Sequence, residues 1–177
     1  MKANIMPPAI LTIICIIASA LLVFVHELTK ENISEQKALR FSKSVEALFG
    51  ETDSTLLDTD FGEDLIEAIA VTSDGKTAIQ VVADGYSKGG INILVGIDEN
   101  GAVSGIEFVS LGETPGLGSK VRDIPEFREE FYGLTEAGVQ VDGISGATFS
   151  SKGMAAAVDT ALRVYSENKE AILNGRE

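Results

Sequence analysis

From Ile5 to Val25 this chain carries no charged side chain, and its only polar side chains there are Thr12, Ser19 and the weakly polar Cys15. Twenty-one residues wound as an α-helix rise about 30 Å, the thickness of a bilayer's hydrocarbon core. Pro7 and Pro8 fall in the first turn, where a helix tolerates proline. Ala18-Ser19-Ala20 has the small-x-small form of a signal-peptide cleavage site. It sits inside the apolar run, however, which continues through Leu21 to Val25, and only Lys2 and the amino terminus supply charge before it. The segment therefore predicts an uncleaved anchor over residues 1–27 rather than a cleaved leader.

Lys2 precedes the span, whereas His26, Glu27, Lys30 and Glu31 follow it. The excess of positive charge on the short N-terminal side places that side in the cytoplasm. The expected localisation is the cell membrane, single-pass, with the remaining domain on the extracytoplasmic side. That domain is acidic. Residues 28–177 hold 13 Lys and Arg against 26 Asp and Glu, the whole of the net charge of −13. Nucleic acid needs a basic footprint and is excluded as a partner; electrostatic adhesion to anionic lipid is excluded on the same ground. Cys15 is the single cysteine and His26 the single histidine, so this chain alone supplies no disulfide and no soft-ligand metal centre. A redox group here has to be organic or shared with a partner.

Beyond the span, Ile33, Ala38, Phe41, Val45 and Leu48 recur at helical spacing up to Gly50, predicting a helix over 28–49. Residues 51–64, with Glu51, Asp53, Asp58, Asp60, Glu63 and Asp64, read as an acidic loop, so that 28–64 forms a membrane-proximal segment ahead of a domain over 65–177. Leu65–Thr72 and Thr77–Ala83 predict one hairpin, and Ile91–Ile97 and Ala102–Leu111 another around Asp98-Glu-Asn-Gly101. A loop at 112–122, a short helix over Ile124–Tyr132 and a short strand over Val139–Val141 follow. Met154, Ala157, Val158, Ala161, Leu162 and Tyr165 mark one face of a terminal helix. The fold class is α+β: one transmembrane helix, then an antiparallel sheet packed by helices.

Two segments carry the chemistry. Asp142-Gly-Ile-Ser-Gly-Ala-Thr148 runs into Phe149-Ser150-Ser151 and the terminal helix. It makes a tight polar turn presenting the Thr148 hydroxyl at a helix N-terminus. Free backbone N–H groups and the positive end of the helix dipole favour a phosphate there. A plain loop and N-cap would use the same residue types. Gly112-Glu-Thr-Pro-Gly-Leu-Gly-Ser-Lys120 follows the last strand, with proline and glycine where a tight turn needs them. Gly116 and Gly118 allow backbone to approach a flat ligand.

The pattern Asp-x-x-Ser-Gly-Ala-Thr resembles the flavin-attachment signature of the FMN-binding domain family. With the anchor, Gly85-Tyr-Ser-Lys-Gly-Gly-Ile91, Val95-Gly-Ile-Asp98 and Glu113–Gly118, the chain is similar to the G subunits of Rnf-type ion-translocating ferredoxin:NAD oxidoreductases. The likeness covers residues 80–165 and the anchor. It implies an electron-transfer subunit with FMN held covalently by a phosphoester on Thr148. It further implies a site formed by Asp142, Ser145, Gly146, Ala147, Glu113, Thr114, Gly116, Leu117, Gly118 and Lys152, with the Glu113–Gly118 loop lining the flavin ring. A separate flavin transferase would install the group from FAD with AMP leaving, and Asp142 would serve either that enzyme's metal or its own turn. Lys152 would meet the phosphate or stand in solvent. Partners would be the other membrane, iron–sulfur and flavin subunits. The C subunits of sodium-pumping NADH:quinone oxidoreductases, which share the attachment motif on longer chains, are the alternative; an anchored binding or sensor domain without flavin is another.

Overall fold

The computed structural model describes residues 6–57, 62–138 and 140–175; Lys2, Asp58, Asp60 and Val139 lie outside the described residues. The chain divides into two compact units, Met1–Phe41 and Ser42–Glu177. Helix α1 (Met6–Phe49) begins in the first unit, where its segment Met6–Lys30 is, among the described residues, the one long and apolar enough to cross a membrane. The apolar side chains of Met6–Lys30 point outward rather than into a protein core. Thr12 and Thr29 donate their hydroxyls to the carbonyls of Pro8 and Val25, at 2.9 and 2.7 Å, so these polar groups are satisfied within the helix.

The second unit is a five-stranded antiparallel meander: β1 (Ser54–Leu57), β2 (Ile66–Thr72), β3 (Thr77–Ala83), β4 (Ile91–Ile97) and β5 (Val103–Leu111), adjacent in that order. Asp98 fixes the β4–β5 turn by accepting the Asn100 and Ala102 N–H groups, each at 2.9 Å. These bonds, that of Ala102 foremost, hold its carboxyl below the ordinary range. Strands β3 and β4 are buried along nearly their whole length because both sheet faces are covered. The long helix α4 (Thr148–Asn174) lays Met154, Ala157, Val158, Ala161 and Leu162 into one core with Ile79, Val81, Ile93 and Val95. The last turns of α1 contribute Leu48, whose methyls lie against the cross-strand pair Gly96 and Gly105. A Cβ at either glycine would stand 2.8 or 2.9 Å from them.

The α+β class, the antiparallel sheet, both hairpins and the terminal helix follow the sequence reading. Three local readings need correction. Ser54–Leu57 lies in the segment expected to be loop, yet pairs with β2 from Ser54↔Thr72 to Leu57↔Ile69. The short helix expected over Ile124–Tyr132 is instead α3 (Pro125–Glu129), preceded by a separate turn of helix, α2 (Lys120–Asp123). Pro125 drives Ile124 into an extended conformation, φ −105° and ψ 100°, which breaks the two apart. Gln140 and Val141 form no strand.

Candidate functional site

The two sequence motifs meet at the start of α4. In Thr114-Pro115-Gly116-Leu117 the Leu117 N–H reaches the Thr114 carbonyl at 3.1 Å, with Gly116 at φ 74°. In Ile144-Ser145-Gly146-Ala147 the Ala147 N–H reaches the Ile144 carbonyl at 2.9 Å, with Gly146 at φ 81°. Both are tight turns with a left-handed third residue, which glycine adopts without steric cost. Lys120 joins them by donating Nζ to the Ser145 carbonyl at 3.3 Å. Ser151 Oγ accepts the Ile144 N–H at 3.0 Å and fastens the attachment turn to the helix.

Thr148 is the first residue of α4 and is exposed. Ala147 at the N-cap has no side chain able to cap, so the first-turn N–H groups keep the open, electropositive character of a helix start. Among the described residues the Thr148 hydroxyl has no hydrogen-bond partner. The neighbouring hydroxyls differ. Ser150 and Ser151 are 2% and 1% exposed; Ser150 donates to Glu113 and Ser151 is engaged with Ile144. Ser145, Ser150 and Ser151 are the hydroxyls that rival Thr148 as acceptors of a phosphate, and of the four only Thr148 and Ser145 face solvent.

A cleft of about 340 Å³ opens beside Thr148, lined by Tyr86, Glu113, Thr114, Leu117, Gly118 and residues 146–150. It brings Glu113, Thr114, Leu117 and Gly118 together with Gly146, Ala147 and Thr148. Tyr86, Phe149 and Leu117, at its rim, are 75%, 69% and 51% exposed. On the other side of Thr148 lies a wider groove of about 720 Å³ containing Lys152, Ala155, Ala156 and Asp159. Lys152 stands one helical turn beyond Thr148, on the same face. Asp142, Ser145 and Gly116 line neither opening. Asp142 is exposed and, among the described residues, makes no side-chain hydrogen bond of the Asx-turn kind.

Glu113 is 6% exposed. Its carboxylate accepts the N–H groups of Tyr86 and Ser87 at 3.1 and 3.0 Å and the hydroxyl of Ser150. Burial by itself raises its pKa, but the Ser150 hydroxyl and the two N–H groups together outweigh it and hold the carboxyl below the ordinary range. Sequence reasoning gave Tyr86, Phe149 and Lys120 no place in the site, and took Ser150 as a rival acceptor of the group rather than as a partner of Glu113. The available signal was Phe149, a large apolar residue outside the apolar face of α4.

Residues 85–163 match the FMN-binding domain. The G subunit of the ion-translocating oxidoreductase complex of Shewanella piezotolerans is 28% identical, across 93% of this chain and 91% of that protein. Its counterpart in Shewanella loihica is 27% identical across 98% and 95%. The G subunit of the Na(+)-translocating ferredoxin:NAD(+) oxidoreductase complex of Acetobacterium woodii is 27% identical across 58% and 56%. Both motifs and the cleft between them fall inside residues 85–163: the chain carries an FMN-binding domain and is similar, over most of its length, to the G subunits of ion-translocating oxidoreductase complexes.

Proposed function

We propose that this chain is the electron-transfer subunit of a membrane ion-translocating oxidoreductase of the ferredoxin:NAD type, and that it carries FMN as a phosphoester of Thr148. The observation that carries the assignment is an exposed, unpartnered hydroxyl at the uncapped N-terminus of α4, on the rim of a cleft bordered by exposed apolar side chains. The residues present fit such a group. The first-turn N–H groups and helix dipole suit a phosphate, Lys152 adds a cation one turn away, and the cleft lies within the size range of small-ligand sites. Tyr86, Leu117 and Phe149 offer apolar surface to a flat ring.

Bound FMN supplies reversible electron transfer, which no side chain of this protein provides. The chain's own residues anchor, orient and partly desolvate it. Thr148 fixes one end covalently, which retains the group in an extracytoplasmic compartment without a dependable supply. The apolar rim excludes water from one side and leaves the opening available to redox partners. Asp142, exposed and free of side-chain bonds among the described residues, is available to a flavin transferase during maturation. Residues 1–27 anchor the protein in the cell membrane, with the domain over 65–177 outside the cytoplasm and the other complex subunits as its partners.

Purification of the protein from its own membranes in mild detergent tests this reading. The expected result is co-isolation with multi-span subunits and with flavin- or iron–sulfur-bearing proteins, and flavin absorbance that stays with this chain after denaturation. A flavin-free chain isolated alone contradicts it.

A further inference from the structure

The Glu113 carboxylate is buried beneath the cleft and touches all three segments that wall it. Its two oxygens hold Tyr86 and Ser87 of the β3–β4 loop, and Ser150 in the first turn of α4. Its own backbone opens the Thr114–Gly118 turn. These partners are 26, 27 and 37 residues away in the chain. The space around it is made by glycines. A Cβ on Gly85 would come within 2.7 Å of one carboxylate oxygen, a Cβ on Gly118 within 2.5 Å of the other, and one on Gly90 closer still. None of the ion pairs among the described residues involves Glu113. Among the described residues its hydrogen-bond partners are neutral donors, two of them backbone N–H groups and one a hydroxyl in the first turn of α4. The three donors more than offset the desolvation of the carboxylate, so the charge is kept in the folded protein. A full negative charge in the floor of a site for a redox group opposes the arrival of further negative charge, and does so strongly where water is excluded.

We propose that Glu113 is a positioning residue of the flavin cleft rather than a flavin ligand. Its carboxylate sets the spacing between the Tyr86 wall and the Thr148 helix turn, and its fixed charge lowers the reduction potential of the group held there. This rests on the reading that FMN occupies the cleft, whereas the geometric half concerns the chain's own segments. The test is Glu113→Gln in the full, flavin-loaded protein, with flavin content measured first, then the midpoint potential by redox titration. Hydrogen exchange at the Tyr86 and Ser87 amides is followed in the same samples. The expected result is covalent flavin retained at the wild-type level, a midpoint potential shifted to more positive values, and faster exchange at both amides. Ser150→Ala leaves the charge in place and removes one donor; it should speed the same exchange with a smaller shift of potential, and serves where Glu113→Gln does not fold. An unchanged potential in loaded, folded Glu113→Gln overturns the electrostatic role, and unchanged exchange in both variants overturns the positioning role. Absence of flavin from the wild-type protein is a separate outcome, which refutes the flavin reading and leaves the exchange result to decide the geometry.

Discussion

Gly153 offers a stringent test of how α4 is seated, because two opposing effects can be weighed against each other. It is an interior helical residue, and in an exposed helix Gly→Ala gains about 1 kcal/mol. Here the helix presses on the β3–β4 loop. A Cβ at residue 153 would penetrate the Asp84 carbonyl oxygen, lie 3.0 Å from the Asp84 carbonyl carbon and lie 2.9 Å from Ile91 Cδ1. Ile91 is fully buried in β4 and the carbonyl belongs to the backbone, so neither yields as the end of a flexible side chain would. Overpacking of this kind costs about 1–3 kcal/mol, and a backbone obstacle puts it at the upper end. Net of the helical gain, Gly153→Ala should lose about 2 kcal/mol, or roughly 4–8 °C in Tm for a protein of this size. Thermal denaturation of the full chain in detergent, followed by circular dichroism, reads the change. Ala156→Gly, at an exposed position on the same helix, calibrates the propensity effect and should lose about 1 kcal/mol. If Gly153→Ala is as stable as the parent or more so, the close packing of α4 on the Asp84 loop is wrong.

Other expectations follow from the same geometry. Glu113 has a folded-state pKa below its unfolded one, so its contribution to stability is fully present above the unfolded value of about 4.3 and is lost as pH falls through the folded pKa. The stability gap between wild type and Glu113→Gln should therefore be constant near neutrality and shrink below about pH 4; a gap that widens on acidification contradicts the depressed pKa. Gly146→Ala has no close steric obstacle, its nearest neighbour being Lys120 Nζ at 4.0 Å. Its cost should be that of the left-handed backbone alone, about 1–2 kcal/mol, and a Tm equal to wild type would show that the turn relaxes to negative φ. Asn100→Cys places a thiol in the exposed β4–β5 turn, and it should react with an impermeant reagent on intact cells whose outer layers admit it. Labelling only after lysis would put the domain in the cytoplasm.

The hairpins were legible because local chemistry determines them. Asp98 and Gly101 make the β4–β5 turn with their own neighbours, and the apolar runs on either side have strand length and composition. Strand β1 was not legible, since Ser54–Leu57 is largely exposed and has no buried alternation. It is extended because the edge of β2 offers it backbone partners, a relation between distant segments that no local pattern records. The split between α2 and α3 could have been read from Pro125, which restrains the residue before it as well as starting the helix after it. At the site, sequence spacing identified the two turns, and the fold brings them to one cleft. It could not distinguish a ligand-facing Glu113 from an internal strut, because the decisive partner, Ser150, lies 37 residues away. Nor could it reveal that the rival hydroxyls of Ser150 and Ser151 are buried and engaged.

The central claim is the bond between Thr148 and a flavin phosphate. Tryptic digestion of natively matured protein should release residues 129–152, cut after Arg128 and Lys152. Fragmentation mass spectrometry of that peptide then localises any adduct among Ser145, Thr148, Ser150 and Ser151. The expected adduct is FMN less water on Thr148, and it should disappear in Thr148→Val, which keeps the branched shape while removing the oxygen. An adduct on Ser145, covalent flavin persisting in Thr148→Val, or a wild-type peptide carrying no flavin at all would contradict the claim.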